Sequence, residues 1–324
     1  MGFNPRLVSA ALLVSLTTIG CGAGAQPSEG QSSSVREVAS ATGKSVRIPV
    51  RPERLVVDWI TFDNLIALDA DLTEVAGAFG LEYFRKDPSL SPVMVAKATE
   101  AGVSAIGEAF EPKYEAVGAL KPDAFLLAKD QTTDEVITKL EAIAPVVVYT
   151  VPDGRRSFDD WRSSLRATAG VLNLQSMAEA YITSYDDKVA DFRTEHPEVV
   201  DGLEVTVGKV TNDNVAVSMY KRNLGTNVVD ELGLIRPAAQ RAQKVDAYQS
   251  FAVSLERLDL LDADIIFLEQ RQADTGFMTS NELWKRLRAV QSNRVFFVKN
   301  YWQSGGAGSA KQVLDDAIAA LMKK

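Results

Sequence analysis

"YEAVGALKPDAFLLA" (Tyr114–Ala128) superposes without a gap on "LERLDLLDADIIFLE" (Leu255–Glu269), and this match decides the fold. Glu115 meets Glu256, Leu120 meets Leu261, and Asp123 meets Asp264. In each copy a short helical stretch ends at an aspartate-marked turn and an apolar strand follows. A second pair lies further on, "LEAIAPVVVY" (Leu140–Tyr149) against "LRAVQSNRVFFV" (Leu287–Val298), longer by two turn residues. Helices alternating with apolar strands in this way predict mainly parallel sheets covered by helices. Two matches in register predict two similar α/β lobes.

Each lobe opens with a strand, "RLVVDW" (Arg54–Trp59) in the first and "LEVTVGKV" (Leu203–Val210) in the second. Between them runs "SMAEAYITSYDDKVADFRTE" (Ser176–Glu195), where Met177, Tyr181, Tyr185, Val189 and Phe192 step by four, four, four and three. That spacing lays one apolar face along a long helix, and Pro197 stops it. The expected organisation is a first lobe over 43–172, a bridging helix over 173–197 and a second lobe over 198–324. Two lobes joined by one stiff helix make a clamp with a ligand cleft between them.

The first 42 residues read differently. "LVSAALLVSL" (Leu7–Leu16), preceded by Arg6, is too short to span a bilayer and has the length of a signal-peptide apolar region. Gly20 stands directly before Cys21, the one cysteine of the chain, so no internal disulfide can form. The arrangement resembles the lipobox of bacterial lipoproteins, in which the signal (residues 1–20) is cut and the cysteine sulfur carries diacylglycerol. Thr18 stands where leucine is usual, and a plain secretory signal with an incidental cysteine is the alternative. Gly22 to Ser34 is rich in Gly, Ser, Ala and Gln, so residues 21–42 are expected to form a flexible tether between lipid and domain.

Hydrophobic residues make up 46% and charged residues 24% of 324, an ordinary globular balance. The 43 acidic side chains outnumber the 35 basic ones, which argues against a nucleic-acid surface. The single histidine, His196 in "TEHPE", reads as a solvated helix end. With one His and one Cys, a bare transition-metal cage has too few ligands. A Ser-His-Asp enzyme would have to use His196, and no G-x-S-x-G elbow is present. "ATGKS" (Ala41–Ser45) mimics the end of a phosphate loop, but Val38 occupies the place of its first glycine.

"TGKSVRIPVRPERLVV", "LKPDAFLLA", "LEAIAPVV", "VSLERLDLLDADIIFL" and "YWQSGGAGSAKQVLDD" resemble the iron-complex substrate-binding lipoproteins of ABC importers, in the family's order from about Thr42 to Leu321. The resemblance implies two α/β lobes bridged by a long helix. It implies capture of a ferric siderophore and delivery to a permease dimer with its ATPase. The protein is then lipid-anchored on the extracytoplasmic face of the cell membrane, and is neither an enzyme nor a nucleic-acid binder. Relatives take haem or vitamin B12. The iron arrives already chelated, so no protein metal ligand and no resident cofactor is required. The resemblance also implies that a glutamate on each lobe, here Glu115 and Glu256, docks on permease arginines; the alternative is that each merely favours a helix start through the dipole.

Ligands of open α/β sheets bind beyond the carboxyl ends of the strands. That rule selects Trp59, Phe79, Tyr83, Lys129 and Gln131 in the first lobe. In the second it selects Met219, Tyr220, Arg222, Gln270, Arg271, Tyr301 and Trp302. Aromatic and cationic groups suit a ferric chelate, by packing and by charge-assisted hydrogen bonds. Trp59, Trp302 and Met219 have core packing as their alternative, and Arg222 and Arg271 a plain surface position. The glycines of "SGGAGS" are expected to loop into the last helix with Ser309 as its N-cap. No dense basic cluster shows in the loops, which places hydroxamates ahead of the more anionic catecholates. A haem or corrinoid binder is the rival within the class, and a membrane-tethered α/β enzyme the rival outside it.

Overall fold

The computed structural model describes residues 34–323 except 109, 213–214, 245–248 and 271–273. The signal region, Cys21, the tether up to residue 33 and Arg271 therefore lie outside the described residues. Among the described residues no helix is long and apolar enough to cross a membrane.

The repeat is built into the hydrogen bonding. Strand β8 (Ala124–Ala128) and strand β13 (Ile265–Glu269) are buried along their whole length, as a parallel strand covered on both faces should be. Before β8, the Asp123 carboxylate accepts from the amides of Glu53 (2.7 Å) and Arg54 (3.2 Å), at the entry to β3 (Leu55–Asp58). Before β13, the Asp264 carboxylate accepts from the amide of Glu204 (2.8 Å), at the entry to β10 (Val205–Asn212). In both lobes the aspartate-marked turn thus ties the start of one central strand to the start of its neighbour. The preceding segments differ: Tyr114–Ala119 is α-helical, whereas Leu255–Leu261 is a 3-10 helix interrupted at Arg257.

In the first lobe β3 and β8 are flanked by β4 (Val75–Phe79), β5 (Ser104–Ala105) and β9 (Val146–Tyr149) in a parallel sheet of order β5-β4-β3-β8-β9. A small hairpin, β6 (Gly107–Glu108) with β7 (Glu111–Pro112), follows β5. Residues 35–39, expected to belong to the tether, are instead strand β1 (Val35–Ala39), paired antiparallel with β2 (Ser45–Pro49). This hairpin is fastened to the sheet edge: the Ser40 hydroxyl accepts from the Val148 amide (3.0 Å), and the Ala41 amide donates to the Val148 carbonyl (2.7 Å).

The second lobe has strand order β12-β11-β10-β13-β14, with β11 (Val215–Tyr220), β12 (Ser250–Val253) and β14 (Val295–Val298). Strands β10, β13 and β14 are parallel, but β11 runs antiparallel to both β10 and β12. Too few residues separate β10 from β11 for a crossover, so the chain must reverse. The carboxyl end of β11 consequently points the opposite way from that of β10.

The bridging helix spans Gln175–Glu195, inside the expected 173–197. Its buried face is Ala178, Ile182, Tyr185, Val189 and Phe192; Met177 is exposed and Tyr181 half-buried, a rotation from the expected stripe. Alternating four- and three-residue steps follow the 3.6 period better than repeated fours. The face packs on the helix Trp161–Leu172, where Trp161 meets Tyr185 edge-on at 4.8 Å.

A polar seam joins the C-terminal helix Ala307–Leu321 to the first-lobe helix Trp59–Ala67. The amide of Ala307 donates to Asn64 Oδ1 (3.0 Å), and that of Ser309 to Asp63 Oδ2 (2.9 Å). Asn64 is fixed in turn by donating to Ser164 Oγ (2.9 Å) and Thr168 Oγ1 (3.0 Å). The expected N-cap, Ser309, is corrected: the cap position is Gly306, and the side chains satisfying the helix start come from another helix. The glycines permit this, since a Cβ on Gly306 would lie 2.6 Å from Asn64 Oδ1 and one on Gly308 2.6 Å from Asp63 Oδ1.

Candidate ligand-binding site

The first-lobe part of the site is organised around Asp58, the last residue of β3. Its buried carboxylate caps the helix Trp59–Ala67 by accepting from the Ile60 and Thr61 amides, both at 2.9 Å. It also accepts from Thr61 Oγ1 (2.9 Å) and from the Ala128 amide (2.7 Å) at the end of β8. Burial nonetheless pushes its pKa up to about 6.

Trp59, the first residue of that helix, is half-buried. Its indole Nε1 donates to Gln131 Oε1 (3.0 Å), Gln131 Nε2 donates to Asp130 Oδ2 (3.1 Å), and Ser157 donates to the same oxygen through its amide and hydroxyl, both at 3.1 Å. The carboxyl ends of β3 and β8 and the segment after β9 are thereby laced together. Gly80, after β4, has φ +79, and a Cβ there would sit 2.8 Å from Trp59 Cδ1. The glycine leaves room for the ring. Tyr83 is 36% exposed and stacks edge-on with Phe84, which in turn lies 5.2 Å from Trp59. Lys129 is half-buried and ion-paired with Asp134.

Two expected contacts prove to be core. Phe79 is 1% exposed and packs beneath the first-lobe sheet with Ile106, Phe125 and Leu127; the pleat turns it inward although it ends its strand. Trp302 is also 1% exposed, stacked at 4.5 Å on Phe267, with Nε1 donating to Asp316 Oδ2 (2.9 Å). Met219 is core as well. Tyr301 is half-buried and donates to the same Asp316 oxygen (2.6 Å). Gln270 follows β13, its amide donating to the Val298 carbonyl (3.1 Å).

Tyr220 and Arg222 do not follow from the strand-end rule, because β11 is antiparallel. They reach the site by another route. The Tyr220 hydroxyl accepts from Gln303 Nε2 (2.8 Å), in the segment beyond the carboxyl end of β14. Arg222 is exposed and lines a gap of about 250 Å³ between the lobes with Arg155 and Trp161. Across this gap Asn227 Nδ2 donates to the Asp159 carbonyl (3.3 Å), and Arg162 pairs with Glu231 (2.8 Å). Tyr220 and Arg222 also border a second-lobe pocket of about 330 Å³ that includes Arg236 and Arg241. The sequence reading missed both of these arginines, which follow the helix Leu224–Glu231 and carry no periodic signal.

Glu115 and Glu256 are exposed, and neither has a cation within 4.0 Å among the described residues. Each stands second in the segment that returns the chain from the carboxyl ends of the strands to the start of β8 or β13. Both therefore lie toward the strand ends that carry the candidate site. Among the described residues no three His, Cys, Asp or Glu side chains converge as a metal site.

Two α/β lobes with a bridging helix, and aromatic and cationic groups at the strand ends, define a two-lobed substrate-binding protein. The chain belongs to the periplasmic binding protein family, which it matches over residues 65–301. It is 28% identical to the probable siderophore-binding lipoprotein YfiY of Bacillus subtilis, over 91% of this chain and 90% of that one. It is 26% identical to the iron(3+)-hydroxamate-binding protein FhuD of Escherichia coli, over 83% and 88% of the two chains. The crystal structure of the petrobactin-binding protein YclQ of Bacillus subtilis superposes with a TM-score of 0.70 at 20% identity, covering 90% of this chain and 100% of that one. Proteins of this family act outside the cytoplasm as binding components rather than as enzymes.

Proposed function

We propose that the protein captures a ferric siderophore, hydroxamates favoured, in the cleft between its lobes and delivers it to an ABC permease dimer driven by its ATPase. Cys21 carries the lipid that holds it to the extracytoplasmic face of the membrane. The observation that carries this reading is the family match across both lobes; the partly exposed side chains of Trp59, Tyr83, Lys129, Tyr220 and Arg222 support it as the groups proposed to meet the ligand. A pre-chelated iron presents apolar chelator surface and partly negative oxygens, which suit exactly such groups less by coordination than by stacking and hydrogen bonding.

Tryptophan fluorescence tests it. Trp59 is the most exposed of the four indoles and stands at the end of β3. Titration with ferric desferrioxamine is expected to quench emission at submicromolar ligand. Trp59→Ala is expected to weaken binding roughly tenfold to a hundredfold, the equivalent of losing about 1.5–3 kcal/mol of aromatic burial. Tight binding of hemin with none of any ferric siderophore would replace this reading by that of a haem binder.

A further inference from the structure

The pocket of about 330 Å³ in the second lobe is lined by three arginines that have no carboxylate oxygen within 4.0 Å among the described residues. Six arginines elsewhere, Arg155, Arg156, Arg162, Arg166, Arg257 and Arg288, each have a carboxylate oxygen at 2.6 to 3.0 Å. Arg222 and Arg241 are exposed at the pocket and form no hydrogen bond or ion pair among the described residues. Arg236 is partly buried and is held by neutral acceptors alone. Its Nε and Nη2 donate to Gln240 Oε1 (3.2 and 3.1 Å), and its Nη1 to the Tyr220 carbonyl (3.4 Å).

Gln240 cannot turn away, because its Nε2 donates to Thr206 Oγ1 (2.5 Å) and to the Leu260 carbonyl (2.8 Å). The guanidinium is therefore pre-oriented, and two of its five N–H groups remain for a ligand. Burial pulls the Arg236 pKa down, the signature of a cation short of compensation, and Asp230 only partly opposes it. Asp230 is the single acid of the lining among the described residues and stands more than 4.0 Å from each arginine. Phe251, Leu234 and Ile235 supply an apolar wall. Three arginines and Lys221 against one acid, beside apolar surface, suit an organic anion, and the planar fork of arginine suits a carboxylate. Arg222 belongs to this pocket and to the gap between the lobes, so the two are adjoining.

We infer that this pocket is a subsite for a free carboxylate carried by the ferric chelate. The inference rests on the siderophore reading and sharpens it: the favoured cargo bears an ionised carboxylate beyond the groups that hold iron. The volume admits a carboxylate-bearing arm rather than a whole complex.

The test compares ferric citrate, which has carboxylates to spare, with ferric desferrioxamine, a trihydroxamate without one. Both are titrated into the wild-type protein, Arg241→Gln and Arg236→Gln/Arg241→Gln, with folding checked by thermal unfolding. The ratio of the two affinities is expected to shift against ferric citrate by roughly tenfold to a hundredfold in the double variant and by a smaller factor in the single one. An unchanged ratio in a folded variant overturns the subsite; if the double variant does not fold, exposed Arg241 decides it alone. Iron-free citrate binding as tightly as ferric citrate overturns the assignment to the cargo. If no ferric chelate binds at all, the siderophore reading fails by that result. Citrate binding lost in Arg241→Gln would then still support a carboxylate pocket, and undiminished citrate binding would overturn it.

Discussion

Reversing the charge of Glu115 and Glu256 together is expected to abolish iron uptake while leaving a folded protein that still binds its ferric ligand. The two carboxylates are exposed, have no cation partner among the described residues, and occupy equivalent places in the repeat at the strand-end side of each lobe. A two-lobed clamp meeting a dimeric permease needs one contact per lobe. The competing account, a helix-dipole role contributing about 0.3–1 kcal/mol, loses force here. The segment containing Glu256 is a 3-10 helix broken at Arg257, and that containing Glu115 has only six residues. Neither accumulates much dipole. Glu115→Arg/Glu256→Arg is introduced as the only copy, and uptake of ferric siderophore by cells is followed beside fluorescence titration of the purified variant. Normal uptake would sink the docking assignment.

The second large effect concerns the seam between the helices Trp59–Ala67 and Ala307–Leu321. A Cβ on Gly306 would meet Asn64 Oδ1 at 2.6 Å and the Ile60 carbonyl at 2.9 Å; one on Gly308 would meet Asp63 Oδ1 at 2.6 Å and the Asp63 carbonyl at 3.1 Å. Backbone oxygens cannot swing aside as a flexible side chain can. Gly306→Val/Gly308→Val must push the helices apart and strip Asp63 of its amide donor. Burial already holds that carboxylate above the usual range. Overpacking together with an uncompensated buried acid is expected to cost on the order of 3–5 kcal/mol, a large share of a typical folding stability. Gly170, inside the helix Trp161–Leu172, is the control: nothing lies within 4 Å of its Cβ position, and Gly170→Ala should gain up to about 1 kcal/mol from helix propensity. Denaturant unfolding measures both. A double valine variant as stable as the wild type would contradict the seam.

The lobes were legible because burial on both strand faces writes continuous apolar runs, and because Asp123 and Asp264 each serve a neighbouring strand and so recur in the sequence. The bridging helix was legible by length and by Pro197. Strand direction was not: "NVAVSMY" reads the same in either sense, and only its short link to β10 makes it antiparallel. Phe79 and Trp302 looked like cleft aromatics because a strand end fixes position along the sheet but not the side to which a ring turns. The glycine loop was assigned a local cap because the true acceptors, Asp63 and Asn64, lie some 240 residues away in sequence. Nor could Arg222, Arg236 and Arg241 be seen as a cluster, since a helix and a turn at Pro237 separate them before folding brings them to one pocket.

The central claim is that the cargo is iron already wrapped in a chelator. Gel filtration of the purified protein with iron quantified in the protein peak tests it most directly. One iron per chain is expected after incubation with a ferric siderophore, and none after incubation with an uncomplexed ferric salt. Equal iron loading from both, or none from any ferric chelate, would contradict it.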